Sequence, residues 1–400
     1  MRVSYLIPFA TYHSSMQELF LETPQQLQDF VDQVKHSPWL AVDTEFIRER
    51  TYYPRLCLIQ VADVHTAAAI DPLALKDLAP LRDLLLNPHV EKVFHAARQD
   101  QEIFLNEWGS LPAPVFDTQP AAALLGYGDQ VGYGKLIQQV LKVELAKDYS
   151  RTDWSRRPLD KAQLRYALDD VIYLGKAYLK MKQALEQQER LEWLKPEFES
   201  LTAKATYALN PMDMWKKVKG RQHLKGVKLA VLQAAAAWRE EQALARNLPR
   251  RWILKDDVLL EIARRAPTNA RDLEKIRGVD GNFIKHNASA ITQRIQEALE
   301  IPRDQWPKDK FRANRPTPEQ EAVLDVLSAA LRLIARQAGL SPQAIGSRKD
   351  LAALLNNEEQ SPLLQGWRHQ VAGVPLLELL AGKRQLLLDQ GRVTLKVPTD

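Results

Sequence analysis

Trp39-Leu40-Ala41-Val42-Asp43-Thr44-Glu45-Phe46 decides the reading of this chain. Four apolar residues lead into two carboxylates spaced by two, and period-two geometry puts Asp43 and Glu45 on one face of a strand. Two acids side by side in an apolar strand are costly to bury unless a proton or a cation neutralises them. A divalent metal meets that need. A strand at a sheet edge, with both acids in solvent, is the alternative this stretch leaves open.

Residues 57–61 form a second short buried strand, and helical stretches such as 78–86 follow. Strands alternating with helices predict an α/β domain with a largely covered sheet. Strand signals stop after about Leu174, residues 175–195 continue as an amphipathic helix, and Pro196 and Pro211 bracket a linker. From Trp215 onward the pattern is helical, broken by a proline-rich run over 301–318. Leu248, Pro249, Ile253 and Asp257 recur as Leu340, Pro342, Ile345 and Asp350, an offset of about 92 residues, so two copies of one helical domain are expected. The predicted division is an N-terminal extension (1–16), an α/β domain (17–210), a first helical domain (211–300), a proline-rich linker (301–318) and a second, diverged helical domain (319–400). A fragment ending near Ala208 is expected to keep Asp43, Glu45, Asp100, Tyr166 and Asp170 together in the α/β domain, provided the linker does not complete that domain's core.

The chain has 400 residues, 45% of them hydrophobic and 26% charged, which suits a folded protein of two or three domains and not a disordered chain. No apolar run approaches the length of a membrane span. The single cysteine, Cys57, lies in an apolar run and cannot pair within the chain, so a cytoplasmic setting is expected. Net charge is −5 over residues 1–210, +7 over 211–300 and +3 over 301–400. An acidic front and a basic back suit a carboxylate-lined site beside a surface that meets phosphate, although such imbalance also occurs without function.

Two further elements add acids. Glu91 to Asp100 reads as a strand entering a helix, with Asp100 in an early turn; alone, such an acid equally complements a helix dipole. In Leu164-Arg165-Tyr166-Ala167-Leu168-Asp169-Asp170-Val171, Tyr166 and Asp170 share a helical face while Asp169 points elsewhere. Alone, that pair equally reads as a packed tyrosine with a surface aspartate.

The order and spacing of Asp43, Glu45, Asp100, Tyr166 and Asp170 resemble the three motifs of the DEDD exonucleases, tyrosine branch. Surrounding segments, 54–61, 116–119, 132–136 and 151–155, are similar to ribonuclease D. Residues 238–240, 248–254 and 259–265 resemble an HRDC domain, and 319–382 look like a weaker second copy. The resemblance implies a ribonuclease H-like mixed sheet flanked by helices, followed by two all-α HRDC-type domains. It implies a 3′-to-5′ exoribonuclease in which Asp43, Glu45, Asp100 and Asp170 hold two divalent ions. All-carboxylate ligation selects hard ions, Mg²⁺ or Mn²⁺. The implied partner is RNA with a free 3′ end, with tRNA precursors as the class, and no obligate protein partner.

Tyr166 is expected to orient the water rather than act as a base, because a phenol with a pKa of about 10 stays protonated near neutrality. Phe46, Gln60 and His95 are candidates beside the terminal nucleotide. Arg250, Arg251 and Lys255 around Trp252 are candidates to contact phosphate and stack a base, although Trp252 itself is expected in the core. A DNA exonuclease and a catalytically silent nucleic-acid-binding protein are the competing readings; the intact set of four acids and a tyrosine argues against the second.

Overall fold

The computed structural model describes residues 16–146, 149, 152–308 and 316–398. The predicted N-terminal extension, apart from Met16, and the middle of the proline-rich run lie outside them.

Among the described residues, β1 (Gln17–Leu21), β2 (Trp39–Ile47), β3 (Arg55–Ala62), β4 (Thr66–Ile70), β5 (Glu91–Phe94) and β6 (Val115–Asp117) form one sheet in the order β1-β4-β3-β2-β5-β6. β3 pairs antiparallel with β4, whereas β1 with β4, β2 with β5, and β5 with β6 are parallel. The apolar run that opens β2 is split by strand alternation between two cores. Leu40 and Val42 join a cluster with α1 (Pro24–Val34), α2 (Ala79–Leu85) and α3 (Arg98–Trp108). Trp39 and Ala41 join one with α4 (Thr118–Leu124), α5 (Tyr133–Leu141) and α6 (Lys161–Gln187). A sheet covered on both faces needs such two-sided apolar strands.

α6 starts at a capping box, Asp160 accepting from the Gln163 amide while Gln163 reaches back to the Asp160 amide. Midway along it, Gly175 lets the helix lie against β2. A Cβ there would stand 2.7 Å from the Trp39 ring, inside van der Waals contact.

The predicted linker is not one. Lys195–Thr202 forms a helix, α7, with Pro196 in its first turn, where the missing amide costs no helical hydrogen bond. Short 3₁₀ turns at Leu191–Leu194, Lys204–Thr206 and Pro211–Lys217 flank it, and α6 itself ends at Gln187. Both prolines mark helix starts, which a search for breakers reads as gaps.

The chain forms two compact units. One unites the described residues up to Ile47, those from Leu56 to Thr206 and those from Ala322 onward. The other joins Arg48–Arg55 to Tyr207–Glu321. The second unit holds α8 (Val227–Arg246), α9 (Arg250–Ile253), α10 (Asp256–Arg265), α11 (Ala270–Glu274) and α12 (Gly281–Glu300) around one apolar core. Tyr52, from the β2–β3 connection, is buried in that core: its hydroxyl donates to Glu240, and the amides of Tyr52 and Tyr53 both donate to Asn247 Oδ1 at 3.0 Å. Sequence order had placed this segment in the α/β domain.

The last helices are α13 (Pro318–Ala338), α14 (Pro342–Ile345), α15 (Arg348–Leu355), α16 (Gly366–Arg368) and α17 (Val374–Leu380). α14 and α15 begin 92 residues after α9 and α10, matching the offset of the sequence repeat. This second helical copy packs within the first unit instead of standing apart. Ser341 donates its amide to the Ala123 carbonyl at 3.0 Å, and Arg190 donates to the carbonyls of Leu124 and Ala338. Leu324, Leu331, Leu351 and Leu376 share a core with the α4–α6 side of the sheet. A fragment ending near Ala208 would therefore leave apolar surface bare. The chain then ends in a hairpin not foreseen as strand, β7 (Gln385–Asp389) and β8 (Arg392–Lys396). Both turn residues, Gln390 and Gly391, have positive φ, as a type I′ turn requires. Its strands are mostly exposed and carry no in-out alternation to read.

Candidate active site

Three elements bring the acids together. β2 supplies Asp43 and Glu45, and α6, held close by Gly175, supplies Asp170. Ligand oxygens of these three all lie within 4.8 Å of one another. Asp100 enters from the first turn of α3, and Thr44 Oγ1 donates to its Oδ1 at 2.5 Å. Two adjoining cavities, about 840 and 530 Å³, share Asp43, Thr44 and His95. Asp100 and Phe46 line the larger, and Glu45, Tyr166 and Asp170 line the smaller, so Asp43 stands at the junction.

Crowding shows in the protonation of these groups. Burial, then Asp170, raises the Asp43 carboxyl well above the usual range, and burial, then Asp43, does the same to Asp100. Burial, then Asp43, Asp170 and Asp100, pushes Glu45 up to about 10. Asp170 rises to about 7, from burial and Asp169. Burial raises the Tyr166 phenol, and Asp170, Glu45 and Asp43 raise it further, so it is a neutral hydroxyl near neutral pH. Asp43, Glu45 and Asp170, which cannot all ionise unaided, form an all-oxygen donor set of the kind hard divalent ions take; Asp100 lies outside that 4.8 Å group and adds to the crowding from the larger cavity.

The turn before α3 is held from outside. Ala96 has a left-handed φ of 60°, costly for a residue with a Cβ. Buried Asp117, at the end of β6, accepts from the amides of Ala96, Ala97 and Gln119 at 2.8–2.9 Å and fixes that turn.

The remaining sequence candidates divide. Phe46 lines the larger cavity. His95 lines both cavities, but Nδ1 engages Thr118 Oγ1 and Nε2 the Val131 carbonyl, each at 3.0 Å, and burial lowers its pKa to about 4. It is a neutral wall residue with no ring nitrogen to spare. Gln60 is fully buried in mid-β3 and lines neither cavity. In a strand buried on both faces, a polar side chain gains no access to the cleft. Arg250 is committed to Glu240, and its guanidinium packs over the Tyr52 ring. Arg251 and Lys255 line a groove of about 910 Å³ with Arg246, Arg264 and Arg265. Trp252 lines it too and is 60% exposed, not in the core. Asp169 pairs with Arg165 at 2.5 Å, off the face of Asp170.

Sequence reasoning assigned no role to Thr44, Asp117, Tyr133 or the α7 residues. Tyr133 lines the smaller cavity and donates from its hydroxyl to the Asp170 carbonyl at 2.6 Å. Pro196, Glu197, Ser200 and Leu201 line the larger cavity together with Asp43 and Asp100. Asp117 and Tyr133 sit in the motifs 116–119 and 132–136; α7 gave no signal, hidden by the prolines.

The sequence profile of 3′-5′ exonuclease domains matches residues 20–186, and that of HRDC domains matches 228–295. Ribonuclease D of Bartonella henselae is 38% identical over 96% of this chain and 95% of its own length. The chain belongs to the ribonuclease D family. Ribonuclease D of Gluconacetobacter diazotrophicus is 40% identical over 94% of this chain and 96% of its own. The crystal structure of Escherichia coli RNase D, described as an exoribonuclease involved in structured RNA processing, superposes with a TM-score of 0.78 at 30% identity, covering 92% of this chain and 99% of that one. As a ribonuclease D family member this chain is a metal-dependent 3′-to-5′ exoribonuclease. Among the described residues, no helix is long and apolar enough to cross a membrane.

Proposed function

We propose that the chain trims tRNA precursors in the cytoplasm, releasing nucleoside 5′-monophosphates one at a time from a free 3′ end. The observation that carries this reading is the crowded carboxylate set, with Asp43 between Glu45 and Asp170 on one side and Asp100 on the other. Asp43, Glu45 and Asp170, with Asp100 beside them, would hold the divalent ions. Mg²⁺ or Mn²⁺ bound there supplies an activated water and stabilises charge on the phosphate and the leaving oxygen.

The chain's own residues do the rest. Tyr166, held as a neutral hydroxyl, hydrogen-bonds and orients the attacking water. Phe46 packs against the terminal nucleotide, and His95 and Tyr133 shape the cleft wall behind it. In the helical unit, Arg251 and Lys255 contact phosphate, and the exposed Trp252 ring offers a face on which a base stacks. Arg250 instead holds the unit together through Glu240.

The test is a 5′-labelled oligoribonucleotide incubated with the full chain. A ladder shortening from the 3′ end is expected with Mg²⁺ or Mn²⁺ and none in excess chelator. A matched oligodeoxynucleotide measures preference for RNA. Activity that survives chelation, or cleavage of a circular RNA, would overturn the reading. Arg251→Ala should weaken tRNA binding and lower the dependence of log affinity on log salt by roughly one ion per lost contact.

A further inference from the structure

One wall of the larger cavity is held by the C-terminal helical copy. α7 forms that wall, with Glu197 and Leu201 among the residues facing the space that Asp43 and Asp100 also line. On its sheet side α7 rests on β6, the Phe198 and Phe116 rings lying 5.3 Å apart. Its N-terminal end is gripped by side chains that arrive about 170 residues later in the chain. Trp367 stacks on Trp193, just before α7, at 4.7 Å and 5° between ring planes. Arg368 packs over the Trp367 ring at 4.5 Å and donates to Glu197 Oε1 at 2.7 Å, while its Nε holds the Ala344 carbonyl at 3.1 Å. Arg368 thus links the cavity wall to the backbone of α14.

This arrangement is more than cover for an apolar surface. The stacked tryptophans bury an interface, but Arg368 reaches a carboxylate that itself lines the cavity, and planar guanidinium geometry fixes direction as well as distance. Without it, Glu197 would lose its cationic partner in a cavity already lined by Asp43, Asp100 and Asp117. α7 spans only Lys195–Thr202 and has no fully buried residue of its own to anchor it.

We propose that Trp367 and Arg368 are positioning residues of the exonuclease cleft: the second helical copy serves the reaction by fixing the α7 wall against which the RNA 3′ end lies. This rests on the cleft being the site of the 3′ end. The partners of these two residues, Trp193, Glu197 and the Ala344 carbonyl, do not include Asp43, Glu45, Asp100 or Asp170, so the step after binding should be spared.

The experiment uses the full-length protein and a short unstructured oligoribonucleotide, too small to need the basic groove. Arg368→Ala should raise KM about tenfold, the scale of misplacing one wall of a binding site, with kcat within about twofold. Arg368→Lys should recover only part of this, because it keeps charge but not the fork. Trp367→Ala should act in the same direction and Trp367→Phe much less. Glu197→Gln combined with Arg368→Ala should be no worse than Arg368→Ala alone. The rise in melting temperature caused by Mn²⁺ should match wild type throughout, since the acid cluster is untouched. If Trp367→Ala does not fold, the Arg368 pair decides. Unchanged KM in folded Arg368→Ala, or a fall in kcat with KM unchanged, would overturn the proposal. A wild-type protein that removes no nucleotides from RNA would instead defeat the exonuclease reading itself.

Discussion

Replacing Glu45 by glutamine should stabilise the metal-free protein while abolishing turnover. The carboxyl is raised from 4.5 in the unfolded chain to about 10 in the fold. A raised acid brings no penalty below the lower value, where both states hold the proton. The penalty grows as pH rises, because the unfolded chain ionises and the folded one does not, and it is complete near the upper value. One pH step is worth about 1.4 kcal/mol, so near pH 7.5 the ceiling is about 4 kcal/mol. Glu45 opens onto a cleft and shares its burden with Asp43 and Asp170, so solvent and coupling cut this to roughly 1–2 kcal/mol. Glutamine has the same shape and no charge to bury. The melting temperature in chelator should rise by roughly 2–8 °C, taking about 2–4 °C per kcal/mol. The gain should be largest near pH 8 and shrink towards pH 5. Added Mn²⁺ should reverse the order, because the wild type keeps all its ligands. Thermal unfolding followed by circular dichroism, in chelator and in Mn²⁺ across that pH range, makes the measurement. A variant no more stable than wild type in chelator near pH 8, or one whose advantage grows on acidification, would refute the account of charge crowding.

Tyr166→Phe should lower kcat by roughly 10² or more with little change in RNA binding, as loss of one water-orienting group; equal losses in binding and rate would make Tyr166 a substrate contact. Asp170→Ala should remove activity while Asp169→Ala, which breaks only the pair with Arg165, keeps most of it; matched losses in a steady-state assay would show that the helical phase is misassigned. Asp117→Asn should destabilise by about 1–3 kcal/mol, since an amide NH₂ would face one of the backbone amides that now donate to the carboxylate. Activity should fall with it, as the turn carrying Asp100 loosens; unaltered denaturant midpoint and rate would refute that role.

Where side chains announce their own geometry, the sequence was legible. Period two on β2 predicted that Asp43 and Glu45 share a face, and a four-residue step predicted the same for Tyr166 and Asp170, because both relations are local. Asp100 needed the resemblance, since nothing in Glu91 to Asp100 says that a turn at Ala96 swings it towards β2. The misreadings share a cause. Pro196 looks like a break until its place in the first turn of a helix is known. Trp252 and Gln60 were judged by residue type, and exposure is set by partners distant in sequence. Glu240, which receives Tyr52, and Trp367, which stacks on Trp193, lie far along the chain from those partners.

The burial of Tyr52 among α8 and α9 has a consequence for how the molecule is made. Its partners Glu240 and Arg250 lie 188 and 198 residues further on. During synthesis the segment after β2 leaves the ribosome long before the helices that will receive it, and it must wait exposed with an unpaired tyrosine and unpaired amides. The sheet waits longer still, since Leu324 through Leu376 complete one of its two cores. The first unit cannot finish until the last helices are made, and chaperones that shield apolar surface on nascent chains should find this protein a long-lived client. Exchange of the basic helical unit between relatives should likewise fail unless residues 48–55 travel with it.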